Sequence, residues 1–261
     1  MELLLDKNDS SVWTLHLNCP SRLNALSDSM VNDLHQVLGE IDQSEACKVL
    51  LLTGSGRGFC SGFDLSLADD APGSHLGEAL AWTRRQENFA GLIKRLQSLH
   101  QPVIAVINGP ANGAGFGLAL ACDIRMASTT ASFNAAFIKV GMSSCDIGVS
   151  YLLPRSVGTA QAFDIMLTGR MVQADEAMRI GLISRICEPD KLLEQAHGLA
   201  TQIALNDGFA VWMTKRGMWA NLEASSLNSA LELENRTQIL TRTTGVLKAK
   251  AQSFKSLEDP K

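Results

Sequence analysis

Residues 102–127 read PVIAVINGPANGAGFGLALACDIRMA, an apolar run that breaks at a glycine-rich loop and resumes as a second apolar run. Val103 to Ile107 suits a strand buried on both faces. The loop from Asn108 to Gly117 carries glycines whose missing Cβ lets backbone amides come close to a ligand. Because it leads directly into Leu118 to Ala121, its free N–H groups would lie at a helix N-terminus, where the helix dipole favours negative charge. Strand, glycine loop and helix in that order point to an α/β chain with one ligand-facing loop.

Outward from this stretch the pattern repeats. Thr53 to Leu65 reads TGSGRGFCSGFDL and follows the apolar run Lys48 to Thr53. Neither loop continues into the Gly-Lys-Ser/Thr of a P-loop or matches the dinucleotide fingerprint, so taken alone each is as consistent with a tight turn as with a functional role. Two more apolar runs, Val12 to Leu17 and Leu182 to Cys187, complete the predicted strands. Ser27 can cap a helix that places Met30, Val31, Leu34, Val37, Leu38 and Ile41 on one face. A second stripe runs through Leu80, Phe89, Leu92, Ile93, Leu96 and Leu99 before Pro102. From about Leu192 only helical stripes follow, so the sequence divides into an α/β domain over 1–189 and a helical region over 190–261, which is expected to pack on the main domain or on another subunit.

Composition narrows the function classes. With 23 Lys and Arg against 27 Asp and Glu, the formal charge is −4, and no basic run marks a nucleic-acid surface. No stretch approaches the roughly 20 apolar residues of a membrane span. The N-terminus lacks the regions of a secretory signal. Six dispersed cysteines without metal-ligand spacing read as reduced thiols, so the expectation is a soluble cytoplasmic protein with no metal.

The blocks FCSGFDL, PVIAVINGPANGAGFGLALACDIRMA, GVSYLLPRSVG and LTGRMVQADEAMRIGLI, with PSRLNAL near the N-terminus, stand in an order and spacing that resemble the crotonase superfamily of enoyl-CoA hydratases and isomerases. The resemblance covers Val12 to Cys187. It implies a spiral of ββα units followed by a helical trimerisation region, a homotrimer or homohexamer, an acyl-CoA thioester as substrate, and no cofactor beyond the coenzyme A moiety of that substrate.

Carried over residue by residue, the resemblance places the oxyanion-binding amides on Phe63 and Ala114, and coenzyme A contacts on Arg22, Leu23 and Ala25. Phe137 and Met142 would line the acyl pocket. Phe254 and Lys255 stand, on a weaker match, where family tails approach the nucleotide. The two glutamates of the family's hydratases correspond here to Gly117 and Phe137, so the usual route of water activation is missing. Asp146 occupies the place where family isomerases and aromatic dehalogenases carry a functional aspartate, and it is the candidate acid–base group. Its bland reading is the N-cap of the helix that follows. The dehalogenase histidine corresponds to Ala90, which ranks that reaction low. Asp64 and Asp123 read as loop or cap residues. The favoured reaction is double-bond isomerisation through a thioester enolate. The alternatives are enoyl-CoA hydration and a non-catalytic acyl-CoA-binding protein.

Overall fold

The computed structural model describes residues 2–9, 11–69 and 71–258, with side chains excepted at residue 76 and at 253–258. The reading of Phe254 and Lys255 therefore lies outside the described residues. The chain separates into two compact units, Met1–Gln202 and Ile203–Lys261.

The first unit is mixed α/β. Its larger sheet has the order β1-β2-β3-β4-β6-β9, formed by Leu3–Asp6, Val12–Leu17, Val49–Gly54, Val103–Ile107, Ile124–Ser128 and Arg185–Cys187. Only the β1–β2 pair is antiparallel. Every residue of β3 and β4 is buried, which is why both read as unbroken apolar runs. A small sheet joins β5 (Pro110–Asn112), β7 (Ser132–Asn134) and β8 (Val172–Gln173). Helices α1 (Asp28–Asp42), α2 (Glu78–Ser98) and α3 (Ala114–Ala121) follow the strands, and α4 (Val149–Val157), α5 (Thr159–Thr168), α6 (Ala174–Arg179) and α7 (Leu192–Ala204) come later.

Several elements match their sequence logic directly. Ser27 Oγ accepts the Met30 N–H at 3.1 Å and caps α1, whose stripe Met30, Val31, Leu34, Leu38 and Ile41 is buried. In α2 the expected face needs correction, because Leu80 is 43% exposed. Steps of four residues back from Phe89 lead to Arg85 and Ala81, and these are the buried positions. The strand expected over 48–53 forms one residue later, at Val49–Gly54. Of the run from Leu182 to Cys187 only Arg185–Cys187 is strand, since the Leu182 N–H is spent on the Ala177 carbonyl (2.8 Å) in the turn that ends α6. Helix α7 buries Leu192, Ala196 and Ala200, and its His197 Nε2 lies 3.3 Å from Thr14 Oγ1 on β2. The helical character predicted from residue 190 thus begins inside the first unit.

The second unit contains α8 to α10: Gly208–Asn221, Leu227–Arg242 and Val246–Glu258. Asp207 caps α8 through the Ala210 N–H (2.9 Å), and Ser226 caps α9 through Ser229 (3.2 Å). Asn221 donates to Glu234 at 3.1 Å and links the two helices. No helix among the described residues is long and apolar enough to cross a membrane.

Residues 19–26 form the bracket that carries the first glycine loop. Asn24 is fully buried at φ 56°, a left-handed conformation that asparagine tolerates better than most residues. Its Nδ2 donates to the carbonyls of Ser55, Gly58 and Phe59 at 3.0, 2.8 and 3.2 Å, and its Oδ1 accepts the Cys19 N–H at 2.8 Å. An Asn24→Ala variant strands these partners, so unfolding in denaturant is expected to show a loss of roughly 2–4 kcal/mol. A change below about 0.5 kcal/mol would remove Asn24 as the anchor of this loop.

Candidate active site

The two glycine loops are zipped together along their backbones. Phe59 and Cys60 donate N–H bonds to the Pro110 carbonyl, each at 3.1 Å, and Asn112 donates to the Cys60 carbonyl at 2.9 Å. On its other edge the stretch 61–64 pairs in parallel with 23–26: Ser61 N–H to Leu23 O (2.9 Å), Leu26 N–H to Gly62 O (2.7 Å), and Asp64 N–H to Leu26 O (3.0 Å). This pairing uses the groups that flank Phe63 and leaves the Phe63 N–H without an acceptor among the described residues.

Ala114 opens α3, in which every residue is buried. The first helical bond runs from the Gly117 N–H to the Gly113 carbonyl at 3.1 Å, and the Ala114 N–H has no acceptor among the described residues. Gly62 (φ 95°) brings the loops into contact, because a Cβ there would lie 2.7 Å from the Asn112 carbonyl oxygen and 3.2 Å from the Ala114 nitrogen. Two unspent amides, one of them at a buried helix N-terminus, therefore belong to backbones that touch. Such donors suit developing negative charge. Phe137 stands close by, its ring 3.7 Å from where a Cβ on Gly113 would be.

Asp146 lies between the short 3-10 helix Ala136–Val140 and α4. Its side chain is no cap: the N-cap of α4 is Gly148, and Asp146 reaches the helix only through its carbonyl, which accepts the Val149 N–H at 2.8 Å. Oδ1 accepts the Ile147 N–H at 2.6 Å and an N–H of Gln86 from α2, whereas Oδ2 has no partner among the described residues. Ile147 is buried at φ 42°, a costly conformation for a β-branched residue. It packs on Gly117 so closely that a Cβ on Gly117 would lie 2.6 Å from Ile147 Cγ2 and 2.9 Å from its carbonyl oxygen. Since Ala114 and Gly117 are three residues apart on one helix face, the unspent amide and the loop bearing Asp146 meet along α3.

Helix α2 supports both halves. Arg85 is buried and grips Asp28 through Nε (2.8 Å) and Nη2 (2.5 Å), with Nη1 on the Leu67 carbonyl at 2.9 Å. Its guanidinium lies 4.8 Å from the Phe63 ring centroid, and Phe89 meets the same ring edge-on at 5.7 Å.

Other sequence candidates have plainer places. Met142 is 63% exposed. Arg22 is engaged by protein carboxylates, with Nη2 on Glu2 (2.9 Å) and Nη1 on Asp64, so its charge is already compensated. Leu23 accepts the Ser61 N–H in the backbone pairing just described, whereas the Ala25 N–H goes to the Arg22 carbonyl at 3.1 Å, and it is Leu26 that lies opposite Phe63. Asp64 caps the 3-10 helix Leu65–Leu67. Burial pushes its carboxyl up, but bonds from Ser66 and the Arg22 charge outweigh this and leave it below the usual carboxylate value. Asp123 Oδ2 accepts the Val103 N–H at 2.7 Å and His100 pairs with Asp42 at 2.7 Å, both structural roles. Cys60 is fully buried at the loop junction, and burial pushes its thiol up to about 12, so it stays neutral. Sequence reasoning missed Gln86 and Arg85; the polar pair 85–86 inside the stripe of α2 was the available signal.

A family model described as enoyl-CoA hydratase/isomerase matches residues 7–260. A Mycobacterium leprae protein named "Probable enoyl-CoA hydratase" is 42% identical over 91% of this chain and 81% of its own. The 1,2-epoxyphenylacetyl-CoA isomerase of Escherichia coli is 34% identical over all of this chain and 98% of its own. The crystal structure of a monofunctional enoyl CoA isomerase from M. smegmatis aligns with a TM-score of 0.76 at 39% identity, covering 88% of this chain and 98% of that one. The chain belongs to the enoyl-CoA hydratase/isomerase family, the crotonase superfamily that its motifs resemble.

Proposed function

We propose that this family member is an enoyl-CoA isomerase that moves a double bond from the 3 to the 2 position of an acyl-CoA thioester. The observation that carries the proposal is the contact between Gly117 and Ile147. The position matching a hydratase glutamate has no Cβ, and Ile147 fills the space that one would need. With Phe137 at the second glutamate position, the acid–base role falls to Asp146, whose neighbour Ile147 packs on Gly117 of α3.

One carboxylate suffices for this reaction. Asp146 Oδ2 takes a proton from C2, and the electron pair moves into the thioester, placing negative charge on the carbonyl oxygen opposite the Phe63 and Ala114 amides. A single such donor is worth about 3–4 kcal/mol of barrier. The same oxygen then returns the proton to C4 as the double bond closes between C2 and C3, so no water is consumed and the enzyme ends as it began. The scheme needs no group beyond the substrate's own coenzyme A. The names of relatives run both ways, and the M. leprae name favours hydration as the second reading. The homotrimer or homohexamer stays part of the proposal, supported by apolar residues exposed in the second unit such as Leu227, Ile239 and Leu247.

Asp146→Asn is expected to lower turnover of 3-enoyl-CoA by about 10²–10⁴ with coenzyme A affinity unchanged; wild-type turnover in this variant would remove the acid–base assignment. In Gly117→Glu the new side chain must displace Ile147, so isomerisation is expected to fall with no gain in hydration, followed by loss of 2-enoyl absorbance. Hydration rising above wild type would show that the site accepts a second carboxylate and that the contact does not decide the reaction.

A further inference from the structure

We propose that Gln86 is a positioning residue that fixes which oxygen of Asp146 reacts, a role that rests on the isomerase reading above. Three observations carry it. Oδ1 of Asp146 is occupied twice, by the Ile147 N–H at 2.6 Å and by the Gln86 amide, while Oδ2 has no partner among the described residues. An oxygen that already accepts two N–H bonds is the poorer place for a proton, so the shuttle is confined to Oδ2.

The frame that delivers Gln86 is also fixed. Its neighbour Arg85 ties this turn of α2 to Asp28 on α1 and to the Leu67 carbonyl, and lies on the ring of Phe63. Two consecutive residues of one helix thus hold the two sides of the reaction: residue 85 the strand that offers an amide, residue 86 the carboxylate. A group supported in this way is restricted in both distance and angle, which is what double-bond migration by one base requires.

The backbone gives the third observation. Ile147 holds φ 42° directly after Asp146, and this turn aims its N–H at Oδ1. One bond from a neighbouring amide leaves the carboxylate free to pivot about that contact. The second bond, from an element distant in sequence, removes the pivot. Oδ1 keeps both bonds whether Oδ2 is ionised or protonated, so Gln86 need not move during the cycle and exchanges no proton itself. C2–H breaks to Oδ2 and Oδ2–H breaks to C4, with Oδ1 a spectator in both steps.

Gln86→Met keeps length and removes the donor. Gln86 is exposed, so the fold is expected to survive, as circular dichroism would check. For 3-enoyl-CoA in D2O, the expected result is a roughly tenfold lower kcat at unchanged KM, and a larger fraction of product carrying solvent deuterium at C4, because a pivoting carboxylate exchanges its proton before returning it. Gln86→Glu, which sets a second carboxylate against Asp146, is expected to lose more. Damage to packing alone would lower activity without changing the deuterium fraction of the molecules that still react, and that result overturns the proposal. Crystal structures of wild type and Gln86→Met give an arm independent of turnover: Asp146 is expected to leave its single orientation. If the wild type moves no double bond, the isomerase reading fails, and an Asp146 unmoved in Gln86→Met overturns the role of Gln86 separately.

Discussion

Two backbones, 62–63 and 112–114, are pressed together with no side chain between them, and the rest of the site is arranged around that contact. At Gly62 any Cβ would meet the Asn112 carbonyl at 2.7 Å. The approach brings together an amide left over from strand pairing and an amide left over at a helix start. Unspent amides at a buried helix end are unfavourable in a protein that binds nothing there. The chain holds them in place with bonds on both edges of the 59–64 stretch, to Pro110 and Cys60 on one side and to Leu23 and Leu26 on the other. That investment in backbone pairing has a chemical use only if an electron-rich atom arrives between the loops.

The second requirement is that side-chain chemistry be fixed relative to those amides, and here the frame is α2. A buried Arg85 would be costly if unpaired, but its two-pronged bond to Asp28 and its carbonyl contact satisfy it. The same guanidinium packs on Phe63, so the charge that locks α1 to α2 also steadies the ring attached to one of the two amides. The helix pairing and the candidate site therefore share atoms at this point, and the polar interruption in an otherwise apolar stripe is where they meet.

The architecture was largely legible in the sequence because it is written in local periodicity: β3 and β4 in unbroken apolar runs, α1 in a capped stripe. The glycine loops and Asp146 were legible through motif order. What the sequence does not show has a common cause. Leu80 was assigned to the buried face of α2 because leucine is apolar, whereas Arg85, a polar residue, is the one buried, through a partner 57 positions away in sequence. The dehalogenase histidine of the resemblance corresponds to Ala90, one turn from Gln86 on the same face of α2. The partners of Arg22, Glu2 and Asp64, are remote from it in sequence, and only the fold brings them together. Pairings of this kind depend on tertiary placement, and no spacing rule contains them.

The absence of a carboxylate at position 117 and the left-handed turn at Ile147 are best understood as one feature. A residue with a Cβ at 117 would expel Ile147 from its place on α3. Holding a β-branched residue at φ 42° costs on the order of 1–3 kcal/mol. Burying its side chain returns about 1.5–3 kcal/mol, which can offset that strain only while position 117 stays open. The same turn sets the Asp146 carboxylate against its own next amide and toward α2, where Gln86 meets it. An open position 117 and the placement of the Asp146 carboxylate thus follow from a single packing choice: the contact that leaves no room for a side chain on α3 is the one that orients the carboxylate beside it.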